Sequence, residues 1–427
     1  MIPMRDQTSY CRNRTSTITM DLIVRNARCS AIATGTADIG IADGRIAVIA
    51  PTITADAHVV DAGGRWVSPG FVESHLHLDK SCIMDRCKAE KGDLAEAIAE
   101  VSRAKKAFTV EDVYTRAKRT LERCILHGTT HVRCQLEIDP IIRHIGFEAI
   151  KQLASDYKWA VDIEICAFPQ EGLLNNPGTD ELLVEAMNKG AHLIGACPYV
   201  DSDPHGQIDR VFDIARDFDC DVDMHLDFAL NTDNLDLLYV CDVTEKRKWG
   251  GRVTIGHVSK LSAVAPDVFA ACARRMADAG VALIAIPSTD LYLLGRDHTH
   301  NVPRGLAHAH KLLGHGVNCA LSTNNVLNPF TPFGDCSLLR QANLYANTAQ
   351  AGRTTDLNDC LDMITTRAAR LMNLKGYGLQ VGNAADLVIL DCDSPSQAVA
   401  ELSPVLTAIK RGRVTVTREI PVLHRPA

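Results

Sequence analysis

From residue 70 onward the chain alternates, eight times over, between a short apolar run and a polar or amphipathic stretch. The runs cover residues 70–78, 130–138, 160–168, 191–200, 221–228, 252–259, 281–288 and 317–325. Helical segments lie between most of them: LAEAIAEVSRAKKA, VEDVYTRAKRTLERCILHG and GFEAIKQLASDY carry apolar residues at three- and four-residue spacing. Eight β/α units spread over about three hundred residues specify a closed parallel (β/α)8 TIM-type barrel. An open doubly wound sheet would more often place a Gly-rich phosphate loop after an early strand, and the sequence has none there.

The two ends read differently. Residues 20–68 hold short alternating runs punctuated by Asp-Gly and Gly-Gly, which is hairpin chemistry, and strands of the same texture return in ADLVILD and AIKRGRVTV. We therefore expect a small β-sandwich built from residues 20–68 and 378–427 beside a barrel of residues 69–377. At 427 residues the chain exceeds what a single core usually supports, in keeping with a large domain and a smaller companion. Residues 1–19 are polar and rich in Ser, Thr and Arg, and read as a flexible tail.

A net charge of -7 with dispersed basic residues leaves no footprint for a nucleic-acid backbone or an anionic membrane surface. Fifteen scattered cysteines without a CxxC pair read as reduced, largely buried thiols. No apolar run has the length to span a bilayer. The expectation is a cytoplasmic homo-oligomer whose partner is a small molecule.

In a parallel barrel, chemistry gathers where strands end at the C-terminal face. There the sequence places His75 and His77 after the first run, Gln135 and Glu137 on the second, and Gln170 after the third. His225 with Asp227 follows on the fifth, His257 on the sixth, and Asn324 with Asn325 on the eighth. A strand sends alternate side chains to one face, so His75 and His77 project together as a chelate. Four histidines at one end of different strands point to one divalent transition metal per chain: zinc, iron or manganese. Asp227 shares a face with His225 and is a candidate acid or an orienting group. Lys80 either touches substrate or is a solvated charge, and Gln135 and Glu137 are pocket or barrel-layer residues. His298 and His300, in RDHTHNVPR, lack supporting ligands at regular spacing and read as a pocket-edge loop.

The motifs PGFVESHLHLDKS, AFPQEG, MHLD, TIGHVSK and NPF, with LLGR ahead of the last, resemble the cytosine deaminase branch of the amidohydrolase superfamily. That branch also holds enzymes that strip alkylamines from s-triazine rings. The resemblance implies that His75, His77 and His225 are metal ligands and that His257 hydrogen-bonds the activated water. It also implies that Gln170 holds a ring amide edge and that Phe330 stacks on the substrate, while Lys80 matches the triazine-type DKS. Two departures stand out. The family's metal-binding, proton-handling aspartate aligns with Asn324 and its neighbour with Asn325, and the acid beside the fifth-strand histidine aligns with Phe228. An amide can offer its oxygen to a metal but takes up no proton near neutral pH.

These features imply a metal-dependent hydrolase that deaminates or dealkylaminates a small nitrogen heterocycle. The catalytic set expected is His257, Asp227 and Asn324; the substrate set is Gln170, Phe228, Phe330, Lys80, Gln135 and Asn325; the metal set is His75, His77, His225 and Asn324. A ring-opening cyclic amidase on the same metal, and a catalytically silent relative that only binds ligand, are the alternatives.

Overall fold

The computed structural model describes residues 19–425. The expected tail thus lies outside the described residues, Thr19 aside. The chain opens with β1 (Leu22–Ala27), β2 (Ala37–Ala42), β3 (Arg45–Ala50), β4 (His58–Asp61) and β5 (Val67–Pro69). The barrel strands follow: β6 (Phe71–Leu76), β7 (Thr129–Glu137), β8 (Asp162–Phe168), β9 (Leu193–Ala196), β10 (Val222–Leu226), β11 (Val253–His257), β12 (Val281–Ala285) and β13 (Cys319–Leu321). β14 (Leu387–Leu390), β15 (Val405–Lys410) and β16 (Arg413–Thr417) complete the order.

β6 to β13 form one parallel sheet in sequence order, and helices cross between most neighbours. The seam closes at the C-terminal end, where His77 N donates to the carbonyl of Asn324 (2.8 Å) and Asn324 N to that of His75 (2.9 Å). First and eighth strands thereby set two histidines directly beside Asn324. Helix Val110–Leu126 shows why the crossovers form. Thr109 caps it by accepting from Asp112 N, and Val113, Ala117, Leu121 and Cys124 form the stripe it buries. Fully burying a valine or leucine such as Val113 or Leu121 contributes roughly 1.5–3 kcal/mol of hydrophobic stabilisation.

The chain ends form two further sheets, ordered β3-β2-β1-β4 and β16-β15-β14-β5. The Asp-Gly signal between β2 and β3 is a tight hairpin turn, with Asp43 and Gly44 both at positive φ (50° and 71°). The ends meet where β5 pairs antiparallel with β14, Val67 opposite Ile389. Leu22, Val24, Ile39, Ile41, Val67, Leu387, Ile389 and Ile409 fill the core between these sheets. Their other side joins the barrel: Val388, Val405, Ala408 and Val416 belong to the barrel's own apolar cluster.

Candidate active site

Nε2 of His225 stands 3.1 Å from Nε2 of His75 and 3.2 Å from Nε2 of His77. All three rings are buried, and burial pushes their pKa values down, His77 and His225 far below the ordinary imidazole range. His75 and His77 thus each bring a ring nitrogen to that of His225. Two nitrogens each about 2.0–2.1 Å from a zinc-sized ion stand about 3.3 Å apart at a tetrahedral angle, so the observed spacing fits such an ion. Asn324 adds a buried carbonyl oxygen that has no hydrogen-bond partner, while its NH2 group donates to Thr289 Oγ1 at 3.2 Å. The residues present fit a divalent transition metal.

The clustered histidines are held from behind. His75 Nδ1 lies 3.6 Å from Asp223 Oδ1, and Arg133 donates to the other Asp223 oxygen at 3.0 Å and to Glu164 at 2.9 Å. His225 stacks on Phe168, with ring centroids 4.6 Å apart. Asn324 and His257 sit at strand ends with positive φ (65° and 68°), a conformation that costs L-residues energy and recurs where side chains are held for function.

His257 brings a fourth ring nitrogen within 4.8 Å of those of His75 and His225. Its Nδ1 lies 2.6 Å from Asp290 Oδ1 on helix Pro287–Leu293, and Asp290 is fully buried. Burial raises the Asp290 pKa, opposed by the charge and hydrogen bond of His257. A carboxylate accepts, so Nδ1 is the nitrogen that donates to Asp290, which leaves Nε2 as the ring nitrogen not engaged by it.

Over the cluster lies a tight cavity of about 10 Å³, lined by His77, His225, His257, Gln170, Phe228, Phe330, Asn324 and Asn325 among the sequence-expected residues, and by Leu94, Tyr199, Thr289 and Leu293. Phe228 meets His257 edge-on, centroids 4.6 Å apart. Larger concavities lie elsewhere, one at the opposite end of the barrel against Gly251, Gly280 and Gly316.

Besides His75, which belongs to the histidine cluster, four sequence-expected residues are not brought to the lining: Asp227, Lys80, Glu137 and Gln135. Asp227 sits at φ 49°, and its oxygens accept from Asp236 N and Leu237 N (3.2 and 3.0 Å) while Lys260 pairs with it at 3.1 Å. It anchors the helix Asp236–Arg247. Lys80 is not a solvated charge: its buried ammonium pairs with Glu137 at 2.5 Å and donates to Gln170 Oε1 at 2.8 Å. Glu137, shared with Lys105, is part of this network. Gln135 is fully buried on β7 away from the lining. His298 and His300 stand exposed in their loop. The residues that sequence reading missed are Asp290, Thr289 and Asp223. Asp223 had a signal, lying two residues before His225 on the same strand face.

A closed parallel barrel with buried imidazoles converging at its C-terminal mouth defines a hydrolase that works with a divalent metal. Comparison with known proteins agrees: the model of the Amidohydrolase family matches residues 58–152 and 111–416, and the chain belongs to that family. It is 26% identical over 411 residues to N-isopropylammelide isopropyl amidohydrolase of Pseudomonas sp. (strain ADP), covering 94% of this chain and 98% of that one. Pterin deaminase of Rhizobium rhizogenes is 28% identical over 396 residues, covering 90% and 89%. The crystal structure of 5-methylcytosine deaminase from Klebsiella pneumoniae superposes with a TM-score of 0.90 at 28% identity, covering 95% of this chain and 99% of that one.

Proposed function

We propose that this chain hydrolyses a C–N bond of a small, flat nitrogen heterocycle, releasing ammonia or an alkylamine. The observation that carries the reading is the clustering of His75, His77 and His225 beside a cavity that His257, backed by Asp290, also lines. The relatives support the substrate class, being named for ammelide, pterin and 5-methylcytosine.

His75, His77, His225 and Asn324 would hold one zinc, iron or manganese ion. When bound, such an ion supplies Lewis acidity and lowers the proton affinity of water. The chain supplies the rest. Phe228 and Phe330 form apolar walls for a flat ring, and Gln170 meets its edge. His257 takes the proton of the attacking water on its free nitrogen and returns it to the leaving nitrogen, while Asp290 stabilises the imidazolium that forms in between. This gives the site a proton acceptor although Asn324 is an amide. With Phe228 at the cavity wall, no acid stands there to relay a proton to a cytosine ring nitrogen, and we expect negligible turnover of cytosine.

The test is to load the protein with metal and offer aminopyrimidines, aminotriazines, pterins and cyclic amides, analysing products for ammonia, alkylamine or an opened ring. Release of ammonia or alkylamine supports the proposal, an opened ring replaces it with the cyclic amidase, and inertness toward the whole panel overturns it. Asn324 and Asn325 favour a silent relative as the rival. The decisive comparison is Asn324→Asp: activity confined to that variant would mean that the natural chain had lost its base. The reading includes a cytoplasmic homo-oligomer, checked by sedimentation and fractionation.

A further inference from the structure

A carboxylate presents two equal oxygens, whereas the amide of Asn324 has one oxygen and one NH2, so which end faces the histidine cluster matters. The backbone leaves little freedom. Asn324 N and O are both bonded across the barrel seam, to His75 and His77, and φ is fixed at 65°. Only side-chain rotation remains. Among the described residues the one hydrogen-bond partner of the Asn324 side chain is Thr289, whose Oγ1 lies 3.2 Å from Nδ2.

Thr289 precedes Asp290 on helix Pro287–Leu293, so one short helix reaches both Asn324 and His257. Its hydroxyl has a second neighbour, Thr331 Oγ1 at 2.8 Å. Thr331 is pinned in turn by backbone hydrogen bonds in both directions with Asn328, at 3.0 and 3.1 Å. All three side chains of this relay are buried. A hydroxyl owns one hydrogen, so the relay has two settings. If Thr289 gives its hydrogen to Thr331, it can only accept from Asn324, and the amide oxygen is left for the cluster. If Thr331 gives its hydrogen to Thr289, Thr289 donates to the amide oxygen and NH2 turns inward. A divalent ion attracts the oxygen and repels NH2, which selects the first setting. That setting needs an acceptor for the buried NH2, and Thr289 supplies it.

Resting on the metal-dependent reading above, we propose that Thr289 is a positioning residue that turns the Asn324 oxygen toward the metal. The role exists only because residue 324 is an amide. An aspartate there would present an oxygen whichever way it turned.

The experiment measures zinc affinity by competition with a chromophoric chelator. Thr289→Val and Thr289→Ser are compared in the natural chain, in Asn324→Asp and in Asn324→Ala. Valine keeps the shape of threonine and removes the acceptor, and serine keeps the acceptor. In the natural chain Thr289→Val should lose about ten- to a hundredfold in affinity, the scale for a group that orients a metal ligand, while Thr289→Ser should stay close to wild type. In Asn324→Asp the valine should cost little, and in Asn324→Ala nothing further, which is the non-additivity expected of a coupled pair. Where circular dichroism shows Thr289→Val unfolded, Thr331→Val tests the same relay: it should weaken zinc binding in the natural chain and not in Asn324→Asp. Equal losses in all three backgrounds, or no loss in the natural chain, overturn the positioning role and leave the hydrolase reading intact, because affinity is read without substrate. Failure of the natural chain to bind zinc, iron or manganese overturns both. The expected affinities without turnover of any ring uphold the role of Thr289 and sink the hydrolase reading.

Discussion

Asp290 grips His257 from the side away from the histidine cluster: Oδ1 and Nδ1 are 2.6 Å apart, and the second carboxylate oxygen is buried without a partner. The strand that ends in His257 and the helix that carries Asp290 are separate crossovers of the barrel, so the pair couples one site residue to a neighbouring β/α unit.

Asp290→Asn keeps the shape but removes an acceptor that can stabilise an imidazolium. We expect kcat to fall by roughly 10²–10⁴ with KM nearly unchanged, the scale of lost general acid–base assistance. The ¹⁵N shifts of His257 should also lose the signature of a single Nδ1–H tautomer. Wild-type kcat in the asparagine form would remove Asp290 from the reaction.

We expect Asn324 to govern metal retention. Its unpartnered oxygen beside three neutral imidazoles leaves a divalent ion less neutralised than a carboxylate would. Asn324→Asp should therefore keep metal longer during dialysis against a chelator, and Asn324→Ala should lose it faster, by about ten- to a hundredfold in affinity. Elemental analysis at intervals decides this. Equal loss from all three proteins would show that Asn324 is not a ligand.

The barrel and the mouth of the site were legible because both rest on alternation: eight apolar runs gave the strands, and period two put His75 and His77 together. Asp227 was misread because alternation ends with the strand. The backbone turns left-handed at Asp227 itself and delivers the carboxylate to the helix Asp236–Arg247. Asp290 was missed for a related reason. An aspartate in the first turn of a helix ordinarily answers the helix dipole, and nothing local shows that His257, 33 residues earlier, will lie against it. The burial of Lys80 likewise depends on Glu137, 57 residues away, which a reading of neighbours in sequence does not see.

The proposed division into a barrel of residues 69–377 and a sandwich of residues 20–68 and 378–427 has a mechanical consequence. β5 is an edge of the sheet that β14 to β16 complete, and Val388, Val405, Ala408 and Val416 seal the barrel's flank. Deleting residues 20–67 removes β1 to β4 and Val67, the β5 residue that pairs with Ile389, and uncovers Leu387, Ile389 and Ile409. The truncated protein should aggregate or unfold at lower urea concentration. A soluble truncation with wild-type unfolding would show that the barrel stands alone.

Acid should loosen the junction between the two parts through His131. Its ring lies 3.6 Å from Asp162 and 3.7 Å from Asp386, beside Lys410, which donates to Asp386 at 2.8 Å and to the carbonyl of Thr130 at 3.0 Å. Burial, and then the charge of Lys410, push the His131 pKa down to about 4 against the pull of the two aspartates. The folded state therefore holds this ring neutral while the unfolded chain takes a proton near pH 6.5. Below that pH the unfolded state binds the extra proton, so the contribution is fully present above about pH 6.5 and is lost as pH falls to about 4. The loss is on the order of 3 kcal/mol. Urea titrations across this range should show His131→Gln losing less stability than wild type on acidification, with the two curves diverging between pH 6.5 and 4. Parallel curves would mean that His131 is protonated in the folded protein as readily as in the unfolded chain.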